Sequence, residues 1–262
     1  MIKKPEVSII INCHNGEKFL LHALKSVDKQ TFKNWEIIFF DNCSADKSKE
    51  IIKRSGIKKI RYFYSKKKIK LYHARNLAIE KAKGKFITFL DTDDEWDKNK
   101  LLTQLNFFKR NKDYQIIYSN YYSFYKKKKY KKIAHKELLP SGKISQDLLN
   151  KYVIGILTVM IKINLIKKYK FDKKFNIVGD FDLFFKLSQK YLIGCIQKPL
   201  AFYRIHPDNF TKKTHLHLEE LNSWIKYKKR YLKLKGYNLC QIKYYIFKLK
   251  IKIFFKTLNF NF

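Results

Sequence analysis

The chain has 262 residues and a formal net charge of +36, from 58 Lys and Arg against 22 Asp and Glu. Its 45% hydrophobic content, with 22 Phe, 18 Tyr and three Trp, suits a packed core and argues against intrinsic disorder. The charge opens nucleic-acid and anionic-membrane readings, yet only six of the basic residues are Arg, and Ile, Asn, Phe and Tyr are also plentiful. Such a composition spreads Lys over the whole surface without building a site. No zinc finger, RNA-recognition motif or other nucleic-acid module accompanies it, so specific nucleic-acid binding is not expected. Anionic phospholipid is the better-matched partner, since a basic residue near such a surface contributes about 1 kcal/mol.

The four cysteines (Cys13, Cys43, Cys195, Cys240) are scattered without zinc or redox spacing, which fits a reduced, cytoplasmic compartment. No apolar run approaches the ~20 residues that cross a bilayer. Met1–Glu6 leads straight into a strand pattern with no signal-peptide core.

In chain order, Val7–Ile11 reads as a strand ending in the polar turn Asn12-Cys13-His14-Asn15-Gly16, and a helix follows from about Glu17 to Lys29. Trp35–Phe40 is a second strand, stopping on Asp41. The turn Asn42–Asp46 has the chemistry that starts a helix over Lys47–Ser55. Ile60–Tyr64 is a third strand. A helix from about Leu71 to Lys83 ends at Gly84, a C-cap signal. Phe86–Leu90 is an apolar run of strand length, as expected for a strand covered on both faces. This β-α-β-α-β-α-β order predicts parallel pairing with crossover helices, a doubly wound α/β sheet with helices on both faces.

Beyond it, Asp97 is placed as the N-cap of a helix to about Arg110. Tyr114–Ser119 reads as a strand with Tyr121–Tyr125 pairing beside it, and Lys126–Lys132 as a solvated, charged loop. Gly155–Ile161 is apolar and β-branched, Ile163–Tyr169 is short and helical, and Asp182–Tyr191 shows a helical face. Leu200–Arg204 is a late strand, and from about His215 the chain is helical, basic and aromatic. The division is therefore one domain over 1–211, in two halves (1–112 and 113–211), followed by a basic helical tail (212–262).

The chemistry concentrates where Phe86–Leu90 runs into Asp91-Thr92-Asp93-Asp94. Open α/β sheets bind ligands at the carboxyl ends of their strands. Three carboxylates so close together repel one another unless a positive group sits among them. A divalent cation such as Mg²⁺ or Mn²⁺, bridging carboxylates to a diphosphate, fits that need. The plain alternative is a solvated acidic turn capping the next helix.

Five stretches, spaced from about Glu6 to Thr211, together resemble the family 2 glycosyltransferases of GT-A fold. They are the strand ending in Asn12-Cys13-His14-Asn15, Ile37–Asp46, the block from Ala74-Arg75-Asn76 to Asp94, Gly179-Asp180-Phe181-Asp182, and Tyr203-Arg204-Ile205-His206. The resemblance implies that Asn12, His14 and Asn15 line the nucleotide, and that Asp41 accepts the ring N–H of a uracil base. It implies that Asp91 and Asp93 form the D-x-D element for diphosphate and metal, with Asp94 a secondary candidate. Arg75 steadies the diphosphate or pins Asp91, because its planar fork suits phosphate or carboxylate. Arg204 is a secondary candidate on the same logic, and His206 lies near the metal. Asp180 is implied as the general base, with Asp182 as a secondary candidate; the family usually has Glu-Asp where this chain has Gly179-Asp180.

The implied activity is inverting transfer from a UDP-sugar to a hydroxyl of a glycan or lipid-linked glycan, in bacterial surface-glycan assembly. Two rivals remain. A nucleotidyltransferase would carry a Gly-rich phosphate loop where Asn12–Glu17 has a single Gly, and a basic nucleic-acid or membrane-binding protein would leave the strand-end acids unexplained. A catalytically inactive relative stays open through the missing Glu. The stretch Tyr244–Phe255, which alternates basic with apolar and aromatic residues, is read either as an interfacial membrane segment or as a helix packed on the domain.

Overall fold

A computed structural model describes residues 4–125, 128–209 and 212–257. Four parallel strands make its first half: β1 (Val7–Cys13), β2 (Trp35–Asp41), β3 (Ile60–Tyr64) and β4 (Phe86–Phe89). They are linked by α1 (Glu17–Asp28), α2 (Ser48–Arg54) and α3 (Leu71–Lys81). Alternation along the strands splits the apolar residues between two cores. Ile10, Ile38, Phe40, Ile87 and Phe89 pack toward α3 on one face, while Ile9, Ile11, Ile37 and Phe39 pack toward α1 on the other. The predicted doubly wound α/β sheet is present, with helices on both faces.

The second half completes the sheet. It contributes β5 (Glu95–Trp96), α4 (Lys100–Arg110), β6 (Ile116–Phe124), β7 (Lys132–Ile133) and α5 (Ser145–Asn150). Then come β8 (Met160–Lys162), α6 (Ile163–Tyr169), α7 (Gly179–Ser188) and β9 (Ile193–Arg204). The strand order is β3-β2-β1-β4-β8-β6-β9-β5, with β7 on β6. Strand β8 enters antiparallel between β4 and β6, while β6 and β9 run parallel. Two long helices follow, α8 (Thr214–Leu234) and α9 (Cys240–Thr257).

Several local expectations need correction. Asp97 does not cap α4: its Oδ1 accepts the Asn99 N–H at 2.9 Å, and the helix begins a turn later at Lys100. Tyr114–Ser119 and Tyr121–Tyr125 are not two paired strands but one long β6, irregular where it meets β9. The apolar run from Gly155 folds into a 3-10 turn over Ile156–Thr158 before the short β8, because Thr158 bonds back to the Gly155 carbonyl through both N–H and hydroxyl. The late strand begins seven residues earlier than predicted, at Ile193. Gly84 is not a helix cap, since α3 ends at Lys81 with Ala82 extended. A Cβ at Gly84 would lie 2.6 Å from the Ser8 amide nitrogen, so glycine is required by the approach of β1. Part of the charged loop, residues 126 and 127, and the 211/212 division with its neighbours 210 and 211 lie outside the described residues.

The tail is not a loose appendage. Leu221, Trp224 and Leu232 of α8, and Ile242, Ile246 and Leu249 of α9, are buried in the same core as α3 and α7.

Candidate active site

The register of the parallel half decides what meets at its carboxyl edge. Cys13 pairs with Asp41, and Ile10 with Phe89, so the turns after β1, β2 and β4 stand side by side. They border a cleft of about 300 Å³ lined by Asn12, His14, Asn42, Asp91, Asp93 and Asn209, among others. The β1 and β2 turns lock each other reciprocally. The N–H groups of Asn15, Gly16 and Glu17 donate to Ser44 Oγ, Ser48 Oγ and Asp46 Oδ2, while Asn15 Oδ1 accepts the Ala45 N–H. Asn15 (φ 55°) and Cys43 (φ 63°) both hold the left-handed conformation in these turns, a strain that recurs at functional sites.

Within this frame Asn12 stands out. Both its side-chain amide atoms are buried without a hydrogen-bond partner among the described residues. Buried amides are normally satisfied, so this one offers a donor and an acceptor to whatever enters the cleft. His14 is exposed at the rim, its Nδ1 3.0 Å from the Asn42 carbonyl oxygen. Asp41 lies beneath the lining: its Oδ1 accepts the Ser44 N–H at 2.8 Å and its Oδ2 the Tyr62 hydroxyl at 2.7 Å. A carboxylate has about four acceptor positions, so two such bonds leave it capacity.

The acids after β4 separate into different environments. Arg75, 3% exposed on α3, donates to Asp91 Oδ1 at 2.5 Å and sits over the Tyr72 ring. Asp93 Oδ2 meets His206 Nε2 at 2.8 Å and the Asn209 amide at 3.3 Å. Asp94 is fully buried, with Oδ1 accepting the Arg204 backbone N–H at 2.9 Å. Burial pushes the Asp93 and Asp94 carboxyls up, and the neighbouring acids push them further; His206 counters this at Asp93 and Arg204 at Asp94.

Arg204 is a clamp in the wall rather than a group in the cleft. It is buried between the Phe19 and Phe124 rings, and donates to the Asp93 carbonyl and to Glu95. Glu95 is also paired with Lys128.

No group of three His, Cys, Asp or Glu side chains among the described residues could enclose a metal ion. Asp93 Oδ2 and His206 Nε2 nevertheless converge within 2.8 Å at the cleft. Mg²⁺ sites commonly take one or two carboxylates, with phosphate oxygens and waters supplying the rest. The Asp93 carboxylate fits that pattern, with the His206 imidazole beside it, whereas Asp91 is turned to Arg75.

Asp180 opens α7 and lies on a second cavity of about 330 Å³, lined largely by apolar groups such as Leu148, Val178, Phe181 and Leu221. Its Oδ1 accepts the Phe181 N–H at 2.8 Å and the Tyr72 hydroxyl at 3.1 Å. Burial raises its carboxyl above the ordinary carboxylate range, and the nearby Arg75 guanidinium offsets part of that. Asp182 does not join it: its Oδ1 accepts the Trp224 indole N–H at 2.7 Å, fastening α7 to α8.

Three contributors escaped the sequence reading. Asn209 bonds Asp93 and accepts the His206 N–H, and Tyr72 touches Asp180. Glu220 of α8 accepts the backbone N–H groups of Asn176, Ile177 and Val178 at 2.7–3.1 Å, fixing the loop that delivers Asp180. A signal existed for Glu220: after Asp208, Glu219 and Glu220 are the only acids in the chain.

A mostly parallel α/β sheet with paired acids and an unsatisfied amide at its carboxyl edge defines a nucleotide-handling transferase fold of the GT-A kind. The chain belongs to the family described as "Glycosyl transferase family 2", whose profile matches residues 8–181. A glycosyltransferase of Rickettsia conorii, itself uncharacterized, is 33% identical over 208 residues, covering 78% of this chain and 34% of that protein. This chain spans about a third of the length of the Rickettsia relatives it matches. The Escherichia coli protein named UDP-Glc:alpha-D-GlcNAc-diphosphoundecaprenol beta-1,3-glucosyltransferase WfgD is 32% identical over 165 residues, covering 63% of each chain. Among solved structures, S. aureus TarS 1-349 in complex with UDP-GlcNAc has a TM-score of 0.67 at 16% identity, covering 84% of this chain and 66% of that one. PcManGT, a mannosyltransferase from Pyrobaculum calidifontis in complex with GDP-Man and Mn²⁺, has a TM-score of 0.62 at 12% identity, covering 86% and 65%. These likenesses fix the fold.

Proposed function

We propose that the chain is a metal-dependent, inverting glycosyltransferase that moves a sugar from a UDP-sugar to a hydroxyl of a lipid-linked glycan during cell-surface polysaccharide assembly. One observation carries the reading. The Asp93–His206 pair and the Arg75–Asp91 pair flank a single cleft, and Arg75 lies between that cleft and Asp180. The names of relatives agree with it: a UDP-glucose-dependent transferase acting on a diphosphoundecaprenol-linked sugar, and the putative teichuronic acid biosynthesis glycosyltransferase TuaG of Bacillus subtilis.

The nucleotide enters over the locked β1 and β2 turns. Asn12 supplies its unused donor and acceptor, His14 and Asn15 border the base and ribose, and Asp41 accepts the base N–H from below. Asp93 and His206 would hold Mn²⁺ or Mg²⁺, which would supply Lewis-acid stabilisation of the leaving diphosphate. Arg75 pins Asp91 in place beside the same diphosphate. Asp180 takes the proton of the acceptor hydroxyl as that oxygen attacks the anomeric carbon opposite the diphosphate, giving inversion. The apolar cavity on which Asp180 lies admits the acceptor from the side of α5, α8 and α9.

Helix α9 supports a peripheral position on the inner face of the cytoplasmic membrane. It carries two apolar stripes at helical spacing. Ile242, Ile246 and Leu249 face the core, while Tyr244, Phe247, Ile251 and Phe254 are exposed on the opposite side. Lys243, Lys248, Lys250 and Lys252 fall between the stripes, as in helices that lie in a headgroup boundary. Among the described residues no helix is long and apolar enough to cross a membrane.

The test is nucleotide release from UDP-, GDP-, CMP- and dTDP-sugars with GlcNAc-diphosphoundecaprenol as a probe acceptor, in Mn²⁺ or EDTA. UDP release that needs Mn²⁺ and collapses in Asp93→Ala supports the reading. Absence of binding and turnover for every nucleotide sugar overturns it.

A further inference from the structure

Gly179 precedes Asp180, at the place where the resemblance to the family leads one to expect Glu. A Cβ built at Gly179 would lie 2.4 and 2.5 Å from two carbons of the Tyr72 ring. Real Cβ atoms do not approach so closely, and Tyr72 cannot swing aside. It is 2% exposed, stacked on Phe171 at 5.1 Å, and its hydroxyl is 3.0 Å from the Ile177 carbonyl oxygen. The space beside Asp180 that a side chain at 179 would take is therefore filled from another element, the first turn of α3.

The substitution is chemical as well as steric. The same Tyr72 hydroxyl lies 3.1 Å from Asp180 Oδ1, so its proton is shared between that carboxylate and the Ile177 carbonyl. Beside the same carboxylate stands Tyr152, whose buried hydroxyl also favours the ionised form of Asp180. Arg75, one turn along α3 from Tyr72, places its guanidinium 5.4 Å from the Tyr72 ring centre while bonding Asp91. Tyr72 thus stands between the acid of the donor cleft and the acid of the acceptor cavity.

We propose that Tyr72 is a positioning residue for Asp180, its ring filling the space beside Gly179 and its hydroxyl orienting the base. This rests on the assignment of Asp180 as base. A neutral hydroxyl in that place orients the carboxylate and favours its ionised form, whereas a Glu carboxylate would add a like charge and raise its proton affinity. The charged and titratable groups facing Asp180 are Tyr72 and Arg75 from α3 and Tyr152 from the loop after α5.

The experiment is a carbon-13 NMR titration of side-chain carboxyls in the full chain, with the Asp180 signal identified by its loss in Asp180→Asn. In Tyr72→Phe, which keeps the ring and removes one hydroxyl, the Asp180 titration moves to higher pH. An unmoved titration in a variant of unchanged melting temperature overturns the proposal. A stability cycle tests the steric half: Gly179→Ala lowers the melting temperature in the wild-type background and lowers it much less alongside Tyr72→Ala. Equal losses in both backgrounds overturn the shared-space argument. Binding and turnover of the nucleotide-sugar panel by the wild-type chain judge the parent reading separately, because their absence for every sugar nucleotide removes the transferase assignment without touching the Asp180 titration.

Discussion

Asp93 and Asp180 are both half-buried carboxyls whose proton affinity is raised, yet their surroundings differ. Asp93 is one of three acids in four residues, and its neighbours help raise it. The partners around this group, Arg75, His206, Asn209 and the Arg204 backbone, are donors or neutral ligands. Asp180 stands apart on a largely apolar cavity, raised by burial and steadied by Tyr72 and Arg75. Crowded acids call for a cation; a lone acid against apolar walls is suited to take a proton. Under the proposed function the Asp93 surroundings suit a metal diphosphate and the Asp180 surroundings a hydroxyl.

That division is tested most severely by Asp180→Asn. Sugar transfer should fall by roughly 10²- to 10⁴-fold, the usual worth of a general base, while UDP affinity holds; a parallel fall in UDP affinity would merge the two ends into one. The pH dependence follows. Asp180 acts deprotonated, so transfer is lost as pH falls through its raised proton affinity, and the acid limb of the rate profile should lie above the ordinary aspartate range. Asp93→Ala should reduce metal-dependent UDP release on the order of 10²- to 10³-fold, by analogy with loss of one charge-stabilising group. Weaker Mn²⁺ activation in rate titrations would accompany it, and an unchanged Mn²⁺ optimum would remove Asp93 from the metal site.

Smaller effects sharpen the picture. Glu220→Gln leaves three backbone N–H groups with a weaker acceptor. It should cost about 1.5–3 kcal/mol in urea unfolding, as for hydrogen bonds to a charged group, and should impair transfer more than UDP binding. Replacing Phe247 or Ile251 with Ser should weaken co-sedimentation with anionic vesicles by roughly tenfold each, from about 1.5 kcal/mol of lost burial, without altering UDP affinity.

The smallest effect concerns Lys100, far from the chemistry. It is fully buried, bonded to Thr88 Oγ1 and Gln104 Oε1, and its amine is pushed well below the usual lysine range by burial alone. The unfolded chain binds a proton there that the folded chain gives up. Stability therefore rises with pH up to the unfolded lysine range. Lys100→Met should flatten that slope in urea melts at a series of pH values, and an unchanged slope would place the charge elsewhere.

Much of the donor end was legible. Phe86–Leu90 running into Asp91-Thr92-Asp93-Asp94 exposes both a strand and its functional edge, because burial and strand-end chemistry are written in consecutive residues. Arg75 stood out through the scarcity of Arg. The roles of Arg204 and Asp182 were less legible, since each makes its contacts with groups distant in sequence: Arg204 clamps Asp93 and Glu95, and Asp182 holds Trp224. Gly84 misled for a similar reason. Its need for glycine comes from Ser8, 76 residues away, and leaves no mark in the flanking helix.

By itself the sequence determined the alternation of strands and helices, the parallel half of the sheet and the acids at its edge, since these follow from local period and from where apolar runs stop. The tertiary structure alone decided how β8 and β6 extend the sheet, and that α8 and α9 share the core. It also decided that Asp180 is framed by Tyr72 from one helix and by a loop held through Glu220 from another. Those pairings join residues 42 to 108 positions apart. Shape and burial select such contacts, and neither is periodic along the chain.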